Sequence, residues 1–415
     1  MGIYFKKKEV KIINTYFFCI LLSLLPVLIT TLVSSTFSSG NLYPLSIGVI
    51  FLIQVIISIY CYSKFKGKKI NKKLISLAII LTTSQAITLL ISLFNGLEID
   101  GFDFINVFVR AITFFVFIVI PYKFKISRKA LEKFMFYIVT LGCIACLYNI
   151  IINFNGLRHI LNINNPYAVN FKSFFIGRNS FGQLLLFSMI ANTFLFFIKK
   201  SAYSKFCYLL FVINIVATLS RTVTGSVSIF LIIFFLIHFR KKLKSKFLII
   251  CFVSVFLFLI FSNDAVSNFI IKMLIRSETG TTGRSVFWGI AIQVLNENNW
   301  LFGIGYLTSR SLLKSMGYSS QFHNFYLETL VGGGVIELIL HVIIFKLTIE
   351  NLKMIIKNDK VIGNIYFSGF IALLFYSFFE SVSYFSMGYV DSIFRMFFLT
   401  IPILYSNNFR RNKCN

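Results

Sequence analysis

Acidic residues are scarce in this 415-residue chain, 14 against 41 Lys and Arg, and charged side chains of both signs make up only 13% of it. So little charge cannot cover the surface of a water-soluble fold of this length. No Asp-x-Asp pair occurs and the four histidines sit on distant segments, which argues against a metal site and against metal-dependent nucleotide-sugar chemistry. A Gly-x-x-x-x-Gly-Lys phosphate loop is missing as well, so neither ATP nor another cofactor is expected. Six of the seven cysteines lie inside apolar runs, and Cys143-x-x-Cys146 has no second pair. A secreted disulfide framework is thereby excluded, leaving packing as the cysteines' role. The net charge of +27 is spread as short clusters between apolar runs. Nucleic-acid binding would require a basic groove with aromatic platforms, so no such partner is expected.

What the chain does have is apolar bulk: 57% hydrophobic residues, 52 of them Phe. Lipid is the solvent such a surface requires, at roughly 20 apolar residues per helical span. The expected fold is an all-α polytopic membrane protein of about twelve spans, near 12–33, 43–62, 74–94, 104–121, 134–152, 174–198, 206–219, 223–238, 247–262, 325–347, 361–379 and 388–405. The first run follows Lys6-Lys7-Lys8 like a signal peptide, but it is too long and lacks a small-residue cleavage site, so it reads as a retained span. The seventh and eighth runs are separated only by Ser220-Arg221-Thr222.

Placing the N-terminus in the cytoplasm puts 30 of the 41 basic residues in cytoplasmic segments, and a miscount by one span would scramble that pattern. Both termini are then cytoplasmic. Three parts follow: spans one to nine over 1–262, a large extracytoplasmic loop over 263–324, and the last three spans with a cytoplasmic tail over 325–415. Within the loop, Val286, Ile290 and Val294 have helical spacing across Arg284 to Asn296, which predicts a helix lying on the membrane surface.

Eleven basic residues fall outside the cytoplasmic clusters: Arg110, Arg158, Lys172, Arg178, Arg221, Lys272, Arg276, Arg284, Arg310, Lys314 and Arg395. An arginine within a span costs about 2.5–3.5 kcal/mol on insertion scales, so it is retained where it meets protein, water or an anion. Under this topology Arg110, Arg178, Arg221, Arg284 and Arg395 come from five segments to the outer leaflet. Some have a carboxylate at hand, as Arg395 has Asp391 at i, i+4 spacing. Carboxylates on that face are nonetheless too few to neutralise all five, whereas a lipid diphosphate would. The loop also carries Thr281-Thr282-Gly283-Arg284, Trp288, Gly303-Ile304-Gly305 and His323-Asn324. Glycines allow close backbone approach to a ligand. His323 stands where the loop re-enters the membrane, and an imidazole there is placed to take a proton from a sugar hydroxyl, or simply to hydrogen-bond at the interface. Glu380, at the outer end of the eleventh span, is the second candidate for base or sugar ligand, or an ion-pair partner. Glu337 and His341 share a helix face deep in the tenth span and read as interior partners.

Gly177-Arg178-Asn179, Ser220-Arg221, Gly283-Arg284 with Trp288, Gly303-x-Gly305, and His323-Asn324 followed by Gly332-Gly333-Gly334 occur in that order around a large late loop. This arrangement, mainly in residues 176–334, resembles the O-antigen ligase and Wzy-type polysaccharide polymerase superfamily. The resemblance implies a metal-independent glycosyltransferase of a bacterial cytoplasmic membrane, working on the outer face with an undecaprenyl-diphosphate-linked oligosaccharide as donor and another as acceptor. It implies Arg221 and Arg284 as diphosphate ligands and His323 as the base, with Arg178, Asn179 and Asn324 lining the site. Arg110, Gly303, Gly305, Glu380 and Arg395 complete the expected substrate-binding set. A flippase and a chain-length regulator are its expected protein partners. The leading expectation is a polymerase of repeat units in O-antigen or capsule synthesis, because polymerases vary with every glycan. A ligase would differ only in its acceptor. A flippase of lipid-linked oligosaccharides predicts short loops on both faces and cations through the bilayer depth, and a bare scaffold has no need of one-sided arginines.

Overall fold

The computed structural model describes residues 7–22, 42–64, 72–158, 171–175, 177–239, 284–318, 321–382, 384–385 and 393–410. Among them the chain is helical, with no strand. In chain order the helices are α1 (Lys7–Leu21), α2 (Leu42–Lys64), α3 (Lys72–Phe94), α4 (Phe102–Phe114), α5 (Arg128–Ile152), the short α6 (Phe154–Arg158), α7 (Arg178–Lys199), α8 (Ala202–Thr218), α9 (Arg221–His238), α10 (Arg284–Glu297), α11 (Tyr306–Ser315), α12 (Phe325–Asn358), α13 (Lys360–Phe379) and α14 (Ile401–Ser406). A π-helical and a 3-10 turn carry α4 on to Lys123, and a second π-helical segment, Arg395–Thr400, leads into α14.

Seven of these helices are long and apolar enough to cross a membrane: α3, the Phe102–Lys123 run, α5, α7, α9, α12 and α13. They coincide with seven of the expected spans. Shorter apolar helices overlap the runs expected at 12–33, 43–62, 206–219 and 388–405, whereas 247–262 lies outside the described residues. Exposed Leu52 and Ile56 on α2 and Ile79 and Leu90 on α3 give the exterior the apolar character that lipid demands, while Gln85, Thr88 and Ser92 turn inward. The tenth span was expected to end near 347, but α12 runs to Asn358 because helix-favouring Lys, Leu, Glu and Met continue it past the apolar run. On α10 the buried face is Ala291, Val294 and Leu295, while Val286 is exposed, so the face expected from spacing is rotated toward the protein core.

The chain divides into two compact units, and these cut across the three-part division expected from topology. One comprises Met1–Leu131, Arg284–Asn358 and Ser377–Asn415, the other Glu132–Gly283 and Asp359–Tyr376. In the second unit α7 is buried along most of its length. Asn149 donates to Asn214 at 2.9 Å and Asn192 to the Ser204 carbonyl at 2.8 Å, so interior amides tie α5 and α7 to α8.

The first unit is organised around a break in α12. Gly334 has φ 69° and ψ −172°, a conformation for glycine alone, and it interrupts the helix that Phe325–Asn358 otherwise forms. Backbone groups freed by a break inside a membrane helix must find partners within the protein. The segment 300–305 supplies them. Val335 and Ile336 donate to the Trp300 and Leu301 carbonyls at 2.9 and 3.3 Å, and Ile304 and Gly305 donate to Val331 and Gly332 at 2.8 and 3.0 Å. α3 holds this plug from the other side, Thr88 donating to the Phe302 carbonyl at 2.6 Å and Ser92 to the Ile304 carbonyl at 3.2 Å.

Such backbone-to-backbone contact leaves no room for a Cβ. At Gly334 an added methyl would lie 2.1 Å from the Leu301 carbonyl oxygen, and at Gly303 2.5 Å from that of Val331. Gly334→Ala is therefore expected to destabilise the protein by about 3 kcal/mol. Gly289→Ala on α10, where a methyl meets nothing within 4 Å, is expected to leave it unchanged or up to about 1 kcal/mol more stable. Thermal denaturation of the two variants in detergent compares them.

Candidate functional site

Asp103 on α4 fixes the segment that follows the plug. Its buried carboxylate accepts from the backbone N–H groups of Leu307 at 3.0 Å and Thr308 at 2.8 Å and from the Thr308 hydroxyl at 2.8 Å. A carboxylate from one helix thus caps the positive end of another, α11. Arg310, one turn on, pairs with Glu328 in the first turn of α12, its Nε donating at 2.8 Å. With α11 pinned at both points, the chain turns through Gly317 (φ 78°), where Tyr318 donates to the Leu313 carbonyl at 3.0 Å. It then reaches His323.

His323 has φ 50°, the left-handed region that non-glycine residues rarely adopt. Asn324 explains part of this, since its side-chain oxygen accepts from the Leu327 N–H at 3.1 Å and caps α12. The histidine is left at the mouth of the helix, partly exposed. Its Nδ1 lies 3.6 Å from Glu380 Oε2, and the other oxygen of Glu380 accepts from Arg284 Nη2 at 2.8 Å. One largely buried carboxylate therefore hydrogen-bonds a guanidinium and stands within ion-pair distance of an imidazole. Phe287, one turn along α10 from Arg284, sets its ring 5.9 Å from that of His323.

This arrangement brings together three of the residues singled out by sequence, His323, Arg284 and Glu380, within the first unit. Asn324 sits beside them as a helix cap. Gly303 and Gly305 are engaged as the plug of α12, where the sequence reading had them beside a ligand. Arg110 is buried under that plug. It is paired with Glu337, lies with its Cζ 4.1 Å from the centre of the Tyr306 ring, and shares Glu337 with the Tyr306 hydroxyl, which donates at 2.8 Å. Burial pushes the Tyr306 phenol's pKa up, so it remains a donor. Gln85 donates to the second Glu337 oxygen at 3.1 Å, and His341 Nδ1 lies 2.9 Å from the Glu337 carbonyl. Glu337 and His341 are thus the interior partners expected of them. Arg395 is wholly buried, within 3.4 Å of the Tyr384 carbonyl, and the Asp391 expected to pair with it lies outside the described residues. So do Thr281, Thr282 and Gly283.

The second unit holds the other two arginines and Asn179. A short turn, with Leu219 at φ 53°, separates α8 from α9, and Ser220 there donates to Asn179 Oδ1 at 3.1 Å. That bond joins the starts of α9 and α7, and Tyr376 donates to the Asn179 carbonyl at 3.3 Å. Arg178 and Arg221 are each the first residue of their helix, and no acid occurs in either first turn. Arg284 opens α10 in the same way. A cation at the positive end of a helix dipole opposes it, while an anion bound there is favoured by dipole and arginine together. Asp103, Tyr306 and Phe287 escaped the sequence reading, because no local pattern marks a carboxylate or ring that acts on a segment some two hundred residues away or across a helix turn.

No curated protein matches the chain. A family model does, and its match covers Arg221, Arg284 and His323 while leaving Arg178 and Glu380 outside. The match begins later than the stretch from 176 that carried the resemblance and runs on to 342, taking in the residues of the expected late loop and the break of α12. Residues 206–342 match the model of the O-antigen ligase family, which is consistent with the resemblance of this multi-pass membrane chain to the O-antigen ligase and Wzy-type superfamily.

Proposed function

We propose that the protein transfers a glycan from a lipid diphosphate to a hydroxyl of an acceptor glycan on the outer face of a bacterial cytoplasmic membrane, and that it acts as a polymerase of undecaprenyl-diphosphate-linked repeat units. The observation that carries this reading is the cluster of His323, Glu380 and Arg284, with an imidazole and a guanidinium gathered around one carboxylate. His323 takes the proton of the acceptor hydroxyl as its oxygen bonds to the donor's anomeric carbon. The bond from that carbon to the diphosphate breaks, and Arg284 holds the charge that develops on the leaving oxygen. Glu380 stabilises the imidazolium that forms and keeps the ring in place, as a carboxylate does for a histidine base elsewhere. A sugar diphosphate is already a good leaving group once its charge is held, so no metal has to be invoked. Arg221 is proposed as a diphosphate ligand from its motif and its place at a helix start, and Arg178 and Asn179 as its neighbours in the second unit.

Glycan chain length on a gel tests this reading, using cells that lack the protein and carry either wild type or Arg221→Ala at equal membrane levels. A polymerase leaves single repeat units in the deletion, and the Arg221→Ala cells are expected to resemble it. Long lipid-linked chains that fail to reach a final acceptor identify a ligase instead. Normal polymer in the deletion strain removes both activities. Glu380→Gln, which keeps the shape and loses the charge, is expected to reduce transfer by about 10-fold or more while leaving the protein folded.

A further inference from the structure

The base has an aromatic wall that the transfer chemistry itself does not use. Phe287 lies 5.9 Å from His323, and Tyr318 stands 5.8 Å from Phe287 with its ring at 89° to it. Tyr318 is 43% exposed, although the turn at Gly317 anchors its backbone. Half-buried Phe287 therefore adjoins an imidazole with a carboxylate on its other contact, and the more open Tyr318 ring stands edge-on to Phe287. A pyranose has a matching division, with C–H bonds clustered on a face and hydroxyls around the rim. The electron-rich face of an aromatic ring attracts such C–H groups, and rigid rings present that contact at little entropic cost.

We propose that Phe287 and Tyr318 form a saccharide subsite that takes the C–H face of the acceptor's terminal sugar and presents one of its hydroxyls to His323. The assignment rests on the transferase reading, because the choice of a sugar over lipid follows from the neighbouring base and Arg284–Glu380 pair. Aromatic residues at a membrane interface otherwise serve as anchors among lipid headgroups. An anchoring role requires no hydroxyl-activating group within reach, and it survives replacement of a ring by a branched aliphatic side chain of similar bulk. A stacking role does not.

Ligand-observed saturation-transfer NMR on the full-length protein in detergent tests the subsite directly. The probe is the repeat-unit saccharide released by mild acid from the cells' own lipid diphosphate. Irradiating the protein's aromatic protons is expected to saturate sugar C–H protons of one ring face. Phe287→Leu and Tyr318→Leu are each expected to weaken saccharide binding roughly tenfold, with recovery in Phe287→Tyr and Tyr318→Phe. Arg284→Ala is expected to keep saccharide binding and to lose binding of inorganic diphosphate. Trp300→Leu, which removes an exposed ring hydrogen-bonded to Asn296, is expected to change neither. Undiminished saccharide binding in both leucine variants, or no saccharide binding by the wild type, overturns the subsite. The transferase reading falls separately, if His323→Ala and Arg284→Ala retain wild-type transfer rates.

Discussion

His323→Ala is expected to lower the rate of glycan transfer by about 10²–10⁴-fold, the range in which a positioned general base contributes. Arg284→Ala is expected to cost about 10²–10³-fold, as removing one fixed donor from a developing negative charge does elsewhere. Arg284→Lys should recover only part of that loss, because an ammonium lacks the planar fork that engages Glu380 and a phosphate oxygen together. The two alanine variants differ in a second respect. Removing Arg284 frees Glu380 from its ion pair, whereas removing His323 leaves that pair intact. Transfer rates at saturating and limiting donor separate these effects: loss of Arg284 should also weaken donor binding, while loss of His323 should act on turnover alone.

The second large effect belongs to the interior. Glu337→Ala leaves Arg110 buried without its carboxylate and also removes the acceptor for Tyr306 and Gln85. Breaking such a pair from one side is expected to destabilise the protein by about 3–5 kcal/mol. The double replacement Arg110→Met with Glu337→Leu removes both charges and should recover most of that loss. Thermal unfolding in detergent distinguishes the single and double variants. A double variant that folds and still transfers glycan shows that Arg110 serves the scaffold. A folded but inactive one returns Arg110 to the substrate-binding set in which the sequence had placed it.

The helices long and apolar enough to cross a membrane were legible because their signal is local, a run of apolar residues set off by polar ones. The interruption between α8 and α9 was legible for the same reason, Ser220-Arg221-Thr222 breaking the apolar run there. The break in α12 was not. Gly332-Gly333-Gly334 reads equally well as a flexible stretch, a close helix contact or a ligand loop, and only the plug at 300–305 decides among them. There Gly332 leaves space for the Tyr306 ring and Gly333 for the Glu337 carboxylate, so three adjacent glycines serve three different neighbours. Arg284, His323 and Glu380 were each visible as unusual residues, since charge is so rare in this chain. Their meeting was not, because Arg284 and Glu380 are 96 positions apart and nothing in either neighbourhood specifies the other. The rotation of the buried face of α10 has a similar origin. Spacing identified a helix with an apolar side, but Ala291 and Leu295 are buried by the core they pack on, including Ile304, Leu313, Phe322 and Val331.

The most direct test is transfer by the purified wild-type protein in liposomes, supplied with lipid-diphosphate-linked repeat units from its own cells and with a chelator present, following both glycan length and released polyprenyl diphosphate. Longer glycan appearing in step with polyprenyl diphosphate, in wild type and not in His323→Ala or Arg284→Ala, is the predicted result. Equal transfer by the His323→Ala protein, or none by the wild type under conditions where it is folded, would contradict the assignment of this cluster as a glycan-transfer site.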